Sequence, residues 1–130
     1  MTLNTRSERN LQGVHDDLVR VVRRAAEIIS TRHDTLGFVV TEGVRNQDRQ
    51  TQLVKVGASR TMSSRHLTGH AVDLAATVAG SVRWDWPLYH QLAAAMKQAA
   101  QELGVAMVWG GDWKSFKDGP HFELDRRVYP

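Results

Sequence analysis

Residues 64–75, Ser64-Arg65-His66-Leu67-Thr68-Gly69-His70-Ala71-Val72-Asp73-Leu74-Ala75, pass from a polar turn into a segment of alternating character. The stretch before it, Gly57 to Arg65, is small, polar and turn-like, and delivers the chain to His66. Ala71, Asp73 and Ala75 alternate with Val72 and Leu74, which predicts a strand with Asp73 on the face opposite Leu74. Outward from this strand the pattern is mixed. Val14, Leu18, Val21, Val22, Ala25, Ile28 and Ile29 recur at helical spacing between Gly13 and about Ser30, with Arg20, Arg23, Arg24 and Glu27 largely between them. Phe38-Val39-Val40-Thr41 reads as a strand ending near Glu42, and a short helix is expected from Asp48 to about Val56. Trp86 to Leu103 is rich in Ala, Leu, Met, Gln and Lys and stops at Gly104, a second long helix. Val105–Trp109 and His121–Leu124 complete the strands, with a Gly-rich loop bearing Trp113 and Phe116 between them. The class is α+β, a small, mainly antiparallel sheet flanked by helices.

Composition narrows the function. The 130 residues are enough for one domain, expected over 1–130, and no repeat or low-complexity linker divides them. Cysteine is absent, which excludes a disulfide scaffold, a thiol nucleophile and any thiolate metal site. A metal would have to sit on His, Asp or Glu. No apolar run reaches the roughly 18 to 20 residues of a membrane span, and the N-terminus lacks the apolar core of a secretory signal, so a cytoplasmic product without stable membrane association is expected. Residues 1–65 carry 11 Lys/Arg against 7 Asp/Glu and residues 66–130 carry 6 against 7. A surplus this small gives no ground for expecting nucleic acid as the partner.

The chemistry concentrates in two segments. His66 and Asp73 flank Gly69 and can converge on one point, and His121 follows in Asp118-Gly119-Pro120-His121-Phe122-Glu123. Two imidazoles and one carboxylate with an open fourth position are the ligand set of a catalytic zinc site, although Mn, Co or Fe are also compatible with such donors. A metal hydrolase further needs a carboxylate that takes a proton from water and returns it to the leaving amine. Asp118 and Glu123 are the candidates. Asp118, freed by the turn at Gly119-Pro120, is preferred as base, and Glu123, on the face of His121, as the support of that ligand. Arg45 suits a substrate carboxylate or the scissile carbonyl, with a surface pair to Glu42 or Asp48 as its plainer use. Ser64 can hydrogen-bond the same substrate. Trp109 and Trp113, on either side of Gly110-Gly111, are candidates for the cleft wall, whereas Trp84 and Trp86 read as structural. His15, His33 and His90 read as ordinary surface or core histidines, and His70 lies near the site but outside the ligand spacing.

These segments carry a family resemblance. Ser64 to Asp73 matches the SxHxxGxAxD signature of the D-Ala-D-Ala carboxypeptidase/dipeptidase superfamily of zinc peptidases, and Trp109-Gly110-Gly111-Asp112-Trp113 with Asp118 to Glu123 matches its second signature. More narrowly, NLQGVHDDLVRVVRRA at 10–25, VTEGVRNQDRQ at 40–50, SRHLTGHAVDLAA at 64–76, WGGDW at 109–113 and DGPHFEL at 118–124 resemble bacteriophage endolysins that act as L-alanyl-D-glutamate endopeptidases. His70 departs from the basic residue such as Arg often found there, at a position that is not a ligand. The resemblance implies a hedgehog/D-Ala-D-Ala-peptidase-like fold and zinc on His66, Asp73 and His121. It also implies Asp118 as base, with Arg45 and Ser64 holding a peptidoglycan stem peptide. It implies waiting in the host cytoplasm for a holin before the wall is lysed. A second departure is the absence of a wall-binding module, so the whole chain is expected to be the catalytic domain, acting as a monomer. The rival activities are a D,D-carboxypeptidase or dipeptidase on D-Ala-D-Ala termini and a non-catalytic, zinc-containing cell-wall-binding module.

Overall fold

The computed structural model describes residues 3–59 and 64–130. Of the polar turn expected over 57–65, residues 60–63 therefore lie outside the described residues. In chain order the elements are α1 (Thr5–Asn10), α2 (Asp16–Arg32), β1 (Leu36–Glu42), α3 (Gln47–Lys55), β2 (Ala71–Val78), β3 (Ser81–Arg83), α4 (Trp86–Leu103), β4 (Met107–Trp109) and β5 (His121–Leu124). Single 3-10 turns cover Arg65–Thr68 and Gly110–Asp112.

The expected α+β class and antiparallel sheet are present. The sheet runs β1-β2-β5-β4 with every pairing antiparallel, and β3 pairs with β2. Helix α2 begins at Asp16 rather than Gly13 because the His15 side chain caps it, Nδ1 accepting from the Asp17 amide at 3.1 Å. Asp16 and Asp17 in its first turn face the positive end of the helix dipole. Its apolar stripe, Leu18, Val21, Val22, Ala25 and Ile29, packs with Leu92, Met96 and Ala99 of α4 over Val40, Val72, Leu74, Phe122 and Leu124 of the sheet.

Three features differ from the sequence expectation. Helix α1 was not foreseen; Asn4 caps it, and it buries Ser7, whose hydroxyl accepts from the Val40 amide at 2.9 Å. Strand β2 extends to Val78 and turns back through Ala79-Gly80, both at positive φ, into β3, the two-residue hairpin turn that matches strand twist. Strand β4 starts at Met107, two residues later than expected. Tyr89 of α4 locks this corner, its hydroxyl accepting from the Ala76 amide at 3.1 Å and donating to the Arg83 carbonyl at 2.8 Å.

Candidate metal centre and cleft

The register of β2 on β5 sets the site. Asp73 lies directly opposite His121 and Ala71 opposite Glu123, so the three polar side chains share one face while Val72 and Phe122 meet on the other. His66 arrives from outside the sheet on the Arg65–Thr68 turn. That turn is capped by Ser64, whose Oγ accepts from the His66 amide, and is closed by Gly69 at φ 75°. A β-carbon at Gly69 would stand 2.6 Å from the Gly13 carbonyl, so a side chain is excluded there on two grounds. A bulge between Val40 and Glu42 in β1 brings Glu42 opposite Asp73.

His66 Nε2 and His121 Nδ1 each lie 3.2 Å from the same Asp73 oxygen, Oδ1. The ligand atoms of this trio all fall within 4.8 Å of one another. The two donor separations that include Asp73, 3.2 Å each, are close to the ligand-to-ligand edge of about 3.3 Å in four-coordinate zinc with bonds of about 2.05 Å, so the donor set fits such an ion. The remaining ring nitrogens are held from behind. His66 Nδ1 donates to the Gly43 carbonyl at 2.8 Å and His121 Nε2 donates to Glu123 Oε1 at 2.8 Å, which leaves one nitrogen of each ring for a cation. Burial works to raise the Asp73 carboxyl, yet hydrogen bonds from His121 and His66 outweigh it and hold the group far below the ordinary carboxylate range. Burial works to lower His121, but Asp73 and Glu123 push it up to about 9.

Around this trio lies a cleft of about 580 Å³, within the range of small-ligand sites. Arg45, Ser64, Trp113, Asp118 and Glu123 all line it together with the trio, so these sequence candidates are brought together. Burial and the Asp73 charge push the half-buried Asp118 carboxyl above its ordinary value. Arg45 is buried and does pair with Glu42, Nε to Oε1 at 2.8 Å and Nη2 to Oε2 at 2.7 Å, while Nη1 donates to Gln50 Oε1 at 2.8 Å. Its Nη2 also stands 3.6 Å from Asp73. A guanidinium has five donor hydrogens, so these three bonds still leave Arg45 donors to offer the cleft.

Trp109 corrects the sequence expectation. It is 3% exposed, its Nε1 donates to the Gly119 carbonyl at 2.7 Å, and its ring packs on Phe122 in the core, away from the cleft lining. Conversely Trp84, expected to be structural, is 63% exposed and lines the cleft with Phe116. The sequence reading also missed Gly43, which acts through a backbone carbonyl, and Gln50, which bonds Arg45, although both lie in the VTEGVRNQDRQ segment that carries part of the resemblance. The remaining histidines fall where expected. His15 caps α2, His33 ends it, His90 packs on Trp109, and His70 bonds Thr68 and neighbours His15.

Residues 1–129 match the family model described as phage L-alanyl-D-glutamate peptidase. The L-alanyl-D-glutamate peptidase of Escherichia phage T5 is 32% identical over 127 residues, covering 95% of this chain and 88% of that one. The crystal structure of the Serratia marcescens L-Ala D-Glu endopeptidase ChiX covers 100% of this chain and 94% of its own at 50% identity, with a TM-score of 0.89. The D,D-dipeptidase VanXYg shares the fold alone, at 18% identity and a TM-score of 0.52 over 85% of this chain and 50% of its own.

Proposed function

The chain belongs to the phage L-alanyl-D-glutamate peptidase family, and on that premise we propose that it is a zinc-dependent peptidoglycan hydrolase cutting the stem peptide between L-Ala and D-Glu. The observation that carries this reading is the pair of imidazole nitrogens held 3.2 Å from one Asp73 oxygen in a cleft shared with Asp118. His66, Asp73 and His121 would hold the zinc, which when bound supplies a Lewis acid and lowers the pKa of water toward about 7.

The chain's own groups perform the proton transfers and the positioning. Asp118 takes a proton from the attacking water as the new C–O bond forms at the L-Ala carbonyl. It returns that proton to the D-Glu nitrogen as the C–N bond breaks. Arg45 turns its remaining N–H groups toward the oxygen on which negative charge develops. Ser64 and Trp113 contact the peptide. Glu123 and the Gly43 carbonyl keep both imidazoles in the correct tautomer. Water is the nucleophile throughout, so no covalent enzyme intermediate arises.

Action as a monomer on the host wall for lysis, with access from the cytoplasm through a holin pore, belongs to the same proposal. Among the described residues no helix is long and apolar enough to cross a membrane.

The test is digestion of defined muropeptides by the purified protein, with and without a chelator and with zinc restored, followed by mass spectrometry. Chelator-sensitive scission between L-Ala and D-Glu is expected. The Asp118→Asn variant should keep zinc and fold while losing about 10²- to 10⁴-fold in turnover. Release of terminal D-Ala would instead make it a D,D-carboxypeptidase. Absence of cleavage by a folded, zinc-loaded sample would make it a binding module.

A further inference from the structure

The two flanks of the cleft differ in chemistry. β1 and β3 pair with opposite edges of β2, because both cover Ala76 to Val78. Arg45, paired with Glu42, follows β1 on one side of Asp73; Trp84 follows β3 directly on the other, where Arg126 after β5 also lines the cleft. Trp113 and Phe116, from the loop between β4 and β5, also line the cleft.

Trp84 is not loosely attached. Its ring stacks on Tyr89 with centroids 6.1 Å apart and planes 2° from parallel, and Tyr89 is itself buried and hydrogen-bonded to β2 and to Arg83. The indole is thus backed on one face by a fixed ring while 63% of the residue stays open to solvent at the cleft. Trp113 stands beside the metal trio, its ring 5.1 Å from that of His121. Trp84 and Phe116, both exposed, line one cleft with the half-buried Trp113, and aromatic side chains lining a cleft are a feature of ligand sites. None of the proton transfers above uses Trp84.

The substrate has a matching asymmetry, given the reading above, on which this inference rests. C-terminal to the scissile bond stand D-Glu and the residues after it, rich in carboxylates. N-terminal to it stand L-Ala, the lactyl group and the muramic acid ring, all uncharged, with methyl groups and the C–H faces of a sugar. Two chain links span at most about 7 Å, so the sugar must lie close to the reacting carbonyl. We infer that Trp84, with Phe116, forms the subsite for the muramyl–L-alanyl side of the substrate, and so selects sugar-bearing stem peptides over free ones. The D-Glu side then lies on the β1 flank, with Arg45 at the scissile carbonyl between the two. Trp84 acts as a specificity-determining residue, not a catalytic one.

The test compares kcat/KM for a disaccharide-bearing muropeptide with that for the same stem peptide freed of its sugar. The parent should prefer the sugar-bearing form, and Trp84→Ala should reduce that preference about tenfold, with Trp84→Tyr restoring most of it. Trp84→Leu keeps apolar bulk against Tyr89 and reads the same ratio if the alanine variant folds poorly. Titration calorimetry of both compounds into the zinc-loaded Asp118→Asn protein should show the same loss in affinity without turnover. An unchanged ratio in the Trp84 variants, with the parent cutting normally, overturns the subsite and leaves the peptidase reading intact. A parent that cuts neither compound between L-Ala and D-Glu overturns that reading and the subsite with it.

Discussion

Asp73 and Leu74 are neighbours in sequence and occupy opposite worlds. On one face of β2, Val72, Leu74 and Ala76 are fully buried and join α2 and α4 in the apolar core. On the other, Ala71 and Ala75 are just as buried yet stand outside that cluster, alongside Asp73. What separates the faces is therefore not contact with water but the partner each side chain meets. A carboxylate lodged between two imidazoles costs much unless every polar atom is bonded, and here the trio is backed by Glu123 and the Gly43 carbonyl. The apolar face supplies the stability; the polar face spends part of it on a preformed ligand set.

Changing one face should remove chemistry and leave the fold, and changing the other should do the reverse. The largest effect is expected from Asp73→Asn. It should lose more zinc affinity than the roughly 10- to 100-fold that outer partners cost, and lose activity with it, while unfolding stays cooperative by circular dichroism. Metal content by atomic absorption checks it, and a variant that binds zinc like the parent would remove Asp73 from the ligand set. Next, Leu74→Ala should cost about 2–5 kcal/mol in denaturant unfolding, with zinc-dependent turnover per folded molecule nearly unchanged. Smaller again, Glu123→Gln should weaken zinc binding about 10- to 100-fold in competition with a chelator dye; an unaltered affinity would leave His121 oriented by the strand alone. The finest test is the titration of Asp118 in the metal-free protein. Burial together with the Asp73 charge raises this carboxyl above its ordinary value, so its side-chain carbon should titrate by NMR above the exposed aspartates, and Asp73→Asn, which removes that charge, should lower it. A titration that Asp73→Asn leaves unmoved would remove the Asp73 charge as a cause.

What could be read from the sequence follows this division. Period two in residues 71–75 and helical spacing in residues 14–29 are local signals, and both elements are present, α2 starting at Asp16 and β2 running on to Val78. The trio His66, Asp73 and His121, with Asp118, Arg45, Ser64 and Glu123, was legible because these residues fall in the segments quoted for the resemblance, and the β2–β5 register and the Arg65–Thr68 turn bring them to one cleft. Features created by distant partners were not legible. Helix α1, with the sequence TRSERN, has no apolar stripe and is held through Ser7 to Val40, 33 residues away. β3 is exposed at every position and owes its place to the Ala79-Gly80 turn rather than to alternation. The tryptophans were exchanged for the same reason. Trp109 and Trp84 both flank strand ends, and only the direction of each ring, inward to Gly119 or outward over Tyr89, tells core from cleft.

Gly43 joins three parts of the molecule. Its carbonyl receives His66, a side chain in its place would run into the Asn10 carbonyl, and two residues on the Arg45 amide donates back to the His66 carbonyl at 2.9 Å. The loop after β1 and the turn that carries His66 are thus laced together in both directions. For protein engineering, segments 42–46 and 64–70 form one cassette. Grafting one without the other, or randomising position 43 in a library, would disturb the metal ligand and Arg45 together, whereas Trp84, after β3, belongs to neither segment.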